Sequence, residues 1–172
     1  MSSTVDDHLT ARQKKEEQAV WDLLDQVKDP EIPVVSVVEM GIIRRIEIEG
    51  RSVTVAMTPT FSGCPALNAM QSEIISVLKQ AGFEDVAIQI THDPSWTSDW
   101  ITPEARQKLK TFGLAPPPIH NGKFAILLLE TVHCPYCDST NTSIKNSFGS
   151  SLCRAIYYCN DCQQPFEQFK PL

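Results

Sequence analysis

Apolar positions recur at helical spacing in some stretches of this chain and crowd into strand-like runs in others. Val20, Leu23, Leu24 and Val27 stand at i, i+3, i+4 and i+7, one face of a helix, with Trp21 at its edge. Thr10 and Gln13 have capping-box spacing, so the helix is predicted to begin at Thr10, with residues 1–9 a polar, disordered N-terminus. Asp29-Pro30 stops it, because the residue before a proline is pushed out of the α region. Residues 42–48 and 53–57 are rich in β-branched side chains, and Glu49-Gly-Arg-Ser52 between them reads as a hairpin turn. A loop dense in Gly and Pro follows, Thr58-Pro-Thr-Phe-Ser-Gly-Cys64-Pro65.

Pro65 suits the first position of a second helix, where its missing N–H would lack a partner anyway. Cys64 is then its N-cap. Leu67, Met70, Ile74, Val77, Leu78 and Ala81 share one face, and Gly82 ends the helix at C′. Residues 86–90 read as a third strand. His92-Asp-Pro-Ser-Trp96-Thr-Ser-Asp-Trp100 leads to a third helix with Thr102 as N-cap, Pro103 first and Gly113 as stop. Residues 114–123 carry three consecutive prolines and read as a semi-rigid linker, the best domain boundary in the chain. Strand-like runs at 124–132, 142–148 and 155–158 follow, and there is no internal repeat. The pattern predicts an α+β protein: a small α/β domain over 10–113 in the order αββαβα, then a β-rich module over 124–172.

That module carries two C-x-x-C knuckles, Cys134-Pro-Tyr-Cys137 and Cys159-Asn-Asp-Cys162. Each can present two thiolates to one tetrahedral cation, and the chain between them forms a hairpin that returns the second pair. Redox pairs or disulfides are the competing reading, but neither knuckle opens a helix of a βαβ unit. Four thiolates suit zinc, and iron as well. A closed set of four is structural, because no coordination position stays open for catalysis. Cys153 lies outside the knuckle spacing; it reads as a nearby fifth thiol, an alternate ligand or a small buried apolar residue.

Charge narrows the partners. Fifteen basic residues against twenty-one acidic ones give a net charge of −6, which opposes nucleic acid or an anionic membrane as partner. From residue 124 onward three basic residues face four acidic ones with no basic stripe, so the module is predicted to stabilise the chain or contact protein. The first eight residues lack the basic and apolar regions of a secretory signal. No apolar run in the chain is long enough to span a bilayer. A cytoplasmic location is expected, where cysteines serve more often as metal ligands or reactive thiols than as disulfides.

Cys64 is the one cysteine ahead of the linker. As an N-cap its thiolate would be favoured by the helix dipole and free N–H groups, lowering its pKa and making it a nucleophile or soft-metal ligand. The opposing reading is a buried packing residue. Thr60 and Ser62 add hydroxyls to the same loop. Asp29 and Glu31, flanking Pro30, either shape the same pocket or serve the turn, and His92 could approach Cys64 only through the fold.

Asp29-Pro-Glu-Ile-Pro-Val-Val-Ser36, Met40-Gly-Ile-Ile43 and Met57-Thr-Pro-Thr-Phe-Ser-Gly-Cys64-Pro65 together resemble the MIP18 (DUF59) family, associated with iron–sulfur cluster assembly or carriage. With Asp93-Pro-Ser-Trp-Thr-Ser-Asp-Trp100 and the two knuckles, nearly the whole chain is similar to the PaaD-type family, the D components of the bacterial phenylacetyl-CoA epoxidase system. The resemblance implies a MIP18-like domain followed by a zinc-ribbon-like module holding structural zinc. It implies an accessory protein that helps iron or iron–sulfur centre assembly in a client, either the oxygenase or the reductase subunit. Cys64 matches the family's reactive or cluster-associated cysteine, Asp29 and Glu31 its acidic signature, and Thr60 the hydroxyl ahead of that cysteine. Cys153 falls where this subfamily carries a cysteine, whereas the tail, Phe169-Lys-Pro-Leu172, lacks a further one that many relatives have. One thiolate does not retain transient iron or a cluster, so a homodimer or an external ligand is expected. The alternative is a non-catalytic structural subunit that binds its partner through the ribbon. With no Gly-rich phosphate loop, no pair of Glu-x-x-His motifs and no flavin or nicotinamide fingerprint, catalysis on phenylacetyl-CoA itself has the least support.

Overall fold

In the computed structural model, residues 3–61, 63–122 and 131–171 are described. Helix α1, Ser3–Leu24, is longer than its sequence suggested. It begins at Ser3 and not at Thr10, so the expected disordered 1–9 segment is corrected for residues 3–9. No Gly or Pro interrupts those residues, and the run behind them is rich in good helix formers. The α-helical part ends at Leu24, ahead of Asp29-Pro30. Gln26 N–H then donates to Leu23 O at 3.2 Å and Val27 N–H to Leu24 O at 3.0 Å, tighter turns that still bury Val27.

Strands β1, Ile43–Glu49, and β2, Ser52–Met57, form the predicted antiparallel hairpin. Glu49 pairs with Ser52, and Gly50 turns the chain at φ +62°. Helix α2, Leu67–Gln80, crosses over to β3, Asp85–Ile90, which pairs parallel to β2, giving a sheet in the order β1-β2-β3. A short 3-10 turn, Ser98–Trp100, precedes helix α3, Pro103–Phe112. Here the predicted caps hold. Thr102 Oγ1 accepts from Ala105 N–H at 3.1 Å, and Gly113 closes the helix at φ +90°. Val20 and Leu24 of α1, Val53, Val55 and Met57 of β2, Met70, Ile74 and Leu78 of α2, and Leu109 of α3 fill one core. Ala81, read onto the buried face of α2, is exposed.

The start of α2 corrects a prediction that matters for Cys64. Ala66 is the N-cap, without a side-chain cap, and Pro65 lies in the turn before it. Cys64 N–H donates to Phe61 O at 3.1 Å and Leu67 N–H to Cys64 O at 3.2 Å, turns on either side of Cys64 that displace the cysteine from the cap.

The second sheet is built from β4, Leu114–Ala115, β5, Thr142–Asn146, β6, Arg154–Cys159, and β7, Pro165–Phe169, in the order β4-β7-β6-β5. Two of its features depart from the expected linker and module. Leu114 and Ala115 open the supposed linker, yet both are buried and pair in parallel with β7. Further along, the Arg106 guanidinium donates to Pro117 O and to Ser98 O, the latter at 2.6 Å, pinning the proline run to the first domain. Strand β7, which the sequence pattern did not predict, carries Phe169 into the first domain's core, 5.8 Å from the Trp96 ring. Most of the expected strand 124–132 lies outside the described residues. No helix among the described residues is long and apolar enough to cross a membrane.

Candidate functional site

The four knuckle cysteines converge. Their sulfurs all lie within 4.8 Å of one another, with Cys134 to Cys162 and Cys137 to Cys159 each 3.6 Å apart. A tetrahedral cation with metal–sulfur bonds of about 2.3 Å needs sulfurs a little under 4 Å apart, so the cage fits a metal ion of that kind. Backbone geometry makes this possible. Asp138 at φ +63° and Gln163 at φ +57° turn the chain just past each knuckle, and the N–H groups of Cys134 and Cys159 are fixed on Ser139 O and Gln164 O. Asp161 ties the knuckles together, accepting from Ser139 Oγ at 2.5 Å and Asn141 Nδ2 at 2.7 Å. The thiols are electrostatically unequal. Backbone N–H donation from Cys162 brings the Cys159 thiol down to about 7, while burial and the neighbouring sulfurs push Cys162 up to about 12.

A second group of side chains forms where the start of β6 reaches the turn at residues 29–31. Asp29 is 8% exposed, and its Oδ1 accepts from Glu31 N–H at 2.7 Å and Ile32 N–H at 3.1 Å, shaping the turn that carries the acidic signature. Burial raises the Asp29 pKa despite those two donors. Cys64 is half-buried within electrostatic reach of Asp29 and Glu31. The predicted activation by a helix N-terminus is corrected: burial foremost, then both carboxylates, push the Cys64 thiol up, outweighing the Ala66 N–H. Cys64 at neutral pH is therefore a thiol.

Cys64 thus lies within electrostatic reach of Asp29 and Glu31, and also of Cys153 from the ribbon, whose negative form likewise raises the Cys64 pKa. Arg154, beside it, is buried and spans the seam. One guanidinium nitrogen lies 2.8 Å from Glu31 O, and another 3.0 Å from Glu167 Oε2. Thr60 is half-buried in the loop ahead of Cys64, with no described hydrogen bond joining the two, and Ser62 lies outside the described residues. His92 is exposed, and no described contact links it to Cys64. Sequence reasoning also missed His120, which is buried and bonds Thr97 Oγ1 at 3.2 Å while its backbone N–H donates to Asp99 Oδ1 at 2.9 Å. It helps hold the proline run. Its only sequence signal was a histidine just past three prolines.

Comparison with known proteins agrees with this division. Residues 17–90 match the family described as iron–sulfur cluster assembly protein, and residues 123–170 the PaaD zinc beta ribbon domain. An Escherichia coli (strain K12) protein, provisionally named as the D component of 1,2-phenylacetyl-CoA epoxidase, is 39% identical over 151 residues, 88% of this chain and 90% of its own. A Porphyromonas gingivalis protein named Fe-S protein maturation auxiliary factor is 34% identical over 95 residues, 54% of this chain and 90% of its own. The crystal structure of a DUF59 domain of unknown function from Bacillus anthracis covers 56% of this chain and 92% of its own, with a TM-score of 0.53 at 22% identity, a likeness of fold. Matched along nearly its whole length, the chain belongs to the PaaD-type family of phenylacetyl-CoA epoxidase D components, a MIP18 (DUF59) domain joined to a zinc ribbon.

Proposed function

We propose that this protein is an accessory, non-catalytic component of a phenylacetyl-CoA epoxidase system that assists assembly of an iron or iron–sulfur centre in a client subunit. The observation that carries the reading is the position of Cys64. It lies in the half that matches the iron–sulfur assembly family, half-buried beside Asp29 and Glu31. The ribbon cysteines hold structural zinc, and the ribbon and its near-neutral surface contact the oxygenase or reductase subunit. Iron or a cluster is cargo, received and released at Cys64.

The test uses cells that express the other epoxidase components without their own PaaD-type protein, complemented with wild type or Cys64→Ser. The oxygenase and reductase are purified, their iron is measured, and epoxidation of phenylacetyl-CoA is assayed. Cys64→Ser is expected to keep its zinc and its association with the complex while leaving the client iron-poor and inactive. Full iron and activity with Cys64→Ser would remove the cargo role. The structural-subunit reading would then stand if breaking the Cys134–Cys137 knuckle abolished association.

A further inference from the structure

The turn that carries Asp29 and Glu31 is nearly closed upon itself. Asp29 Oδ1 takes the Glu31 and Ile32 N–H groups, Asp29 N–H donates to Val35 O, and Val35 N–H returns to Ile32 O. Pro30 and Pro33 have no N–H to offer. Among the described residues a single hydrogen bond joins 29–35 to anything outside that stretch, from Arg154 Nη2 to Glu31 O at 2.8 Å. Asp29 and Arg154 thus hold Glu31 from both sides, one at its N–H and the other at its carbonyl.

Stability does not account for an arginine at that position. It is 8% exposed, its Nη1 reaches Glu167 Oε2 at 3.0 Å and Ser150 Oγ at 3.2 Å, and its Nε is buried with no hydrogen-bond partner. Replacing a buried ion pair by apolar side chains is often neutral or stabilising, and an unmet buried donor adds a cost. What arginine alone supplies is a rigid fork that reaches two acceptors at once. Here the fork joins Glu167 of the ribbon to Glu31 of the first domain. The other end of β6 is Cys159 of the four-cysteine cage, so the cage and the grip on the acidic turn are two ends of one strand.

Resting on the reading above, we infer that Arg154 is a positioning residue for maturation: from the ribbon it holds the Glu31 carbonyl, fixing the Asp29–Glu31 turn in the form that cargo transfer requires. The ribbon then does more than stabilise the chain or meet a partner, because it sets the shape of the acidic signature in the other half of the protein. Without the grip, the turn keeps its local bonds but loses its outside polar tie. Its carboxylates then draw back from Cys64, which they reach electrostatically.

The experiment compares wild type with Arg154→Lys, which keeps the charge but loses the fork, and with Glu167→Gln, which keeps an oxygen acceptor at the ribbon corner. Hydrogen exchange of the Glu31 and Ile32 amides is read by NMR, with ribbon metal content and the circular dichroism spectrum alongside. Arg154→Lys should speed exchange at both amides about tenfold or more, while Cys159 N–H, bonded to Gln164 O, exchanges as in wild type. The pH profile of iodoacetamide labelling at Cys64 should move to lower pH in Arg154→Lys and stay in place in Glu167→Gln. In cells expressing the other epoxidase components, Arg154→Lys should associate with them yet leave the client iron-poor, whereas Glu167→Gln supports iron loading. Unchanged exchange at Glu31 and Ile32 in Arg154→Lys would overturn the inference, as would a fully iron-loaded client. Loss of ribbon metal or of the folded spectrum would do the same, since Arg154 would then be a packing residue. An equal defect in Glu167→Gln would assign the effect to the ion pair and overturn it too. Cys64→Ser separates the two levels. An iron-poor client with Cys64→Ser but not with Arg154→Lys sinks the positioning role alone, and full iron with Cys64→Ser sinks the cargo reading itself.

Discussion

At the scale of single residues, Asp29 carries opposing demands. Its carboxylate organises the turn through two backbone donors, yet burial raises its pKa above the ordinary value. The folded state therefore holds the proton more tightly than the unfolded chain, and stability from this group falls as pH rises through the folded-state pKa. Asp29→Asn keeps an oxygen for both N–H groups and removes the buried charge. In urea titrations it should be more stable than wild type at neutral pH, and the advantage should disappear in acid. The same substitution removes a charge that raises the Cys64 pKa, so iodoacetamide should label Cys64 faster, as read by peptide mass spectrometry. Equal labelling rates would mean that the carboxylate and thiol do not communicate. Gly41 tests a different constraint. Its φ is +66°, and a Cβ there would stand 2.6 Å from Trp100 Cβ and 2.9 Å from Trp100 O. Left-handed backbone costs a non-glycine residue about 1–2 kcal/mol, and overpacking adds about 1–3 kcal/mol. Gly41→Ala should lower the urea midpoint accordingly while leaving the metal content of the ribbon unchanged.

At the scale of elements, what could be read in advance followed the locality of the cause. The Gly50 hairpin, the Thr102 cap and the Gly113 stop are set by residues within a few positions of each other, and all three appear as expected. The knuckles were legible for the same reason, since spacing fixes two ligands at a time. Strand β7 was not. It begins with a proline, alternates poorly, and exists because β6 pairs along it from Arg154–Phe169 to Tyr158–Pro165. The surroundings of Cys64 were half legible: Cys64, Asp29 and Glu31 carried signals, but Cys153 comes within electrostatic reach only because the start of β6 is anchored on the acidic turn through Arg154. The cap assignment failed because the extra turn at 64–66 delays α2, a choice between two nearby hydrogen-bonded starts that propensity does not decide. Phe169 makes the long-range dependence measurable. It is 1% exposed, and Phe169→Ala should cost about 3–5 kcal/mol in urea unfolding, although it belongs to the ribbon and its partners to the first domain. A cost below about 1 kcal/mol would show that the ribbon packs without supporting that core.

At the scale of the whole molecule, the shared core makes the ribbon metal a determinant of the entire fold. Without a cation the cage cannot hold four thiolates at neutral pH, because burial and the neighbouring sulfurs push the Cys162 thiol up. Removing the ion with a chelator replaces metal bonds by crowded sulfurs and loosens the turns on which β6 and β7 are hung. Those strands carry Arg154 and Phe169, which reach Glu31 and Trp96 in the first domain, and β4 couples the two through Leu114. If chelation forfeits even the ~3 kcal/mol at the low end of the Phe169 packing, Tm should fall by roughly 6–12 °C. Calorimetry of the chelated protein should show that fall as one broadened transition. Two separate transitions, with the first domain melting at its metal-bound temperature, would show that the halves are independent.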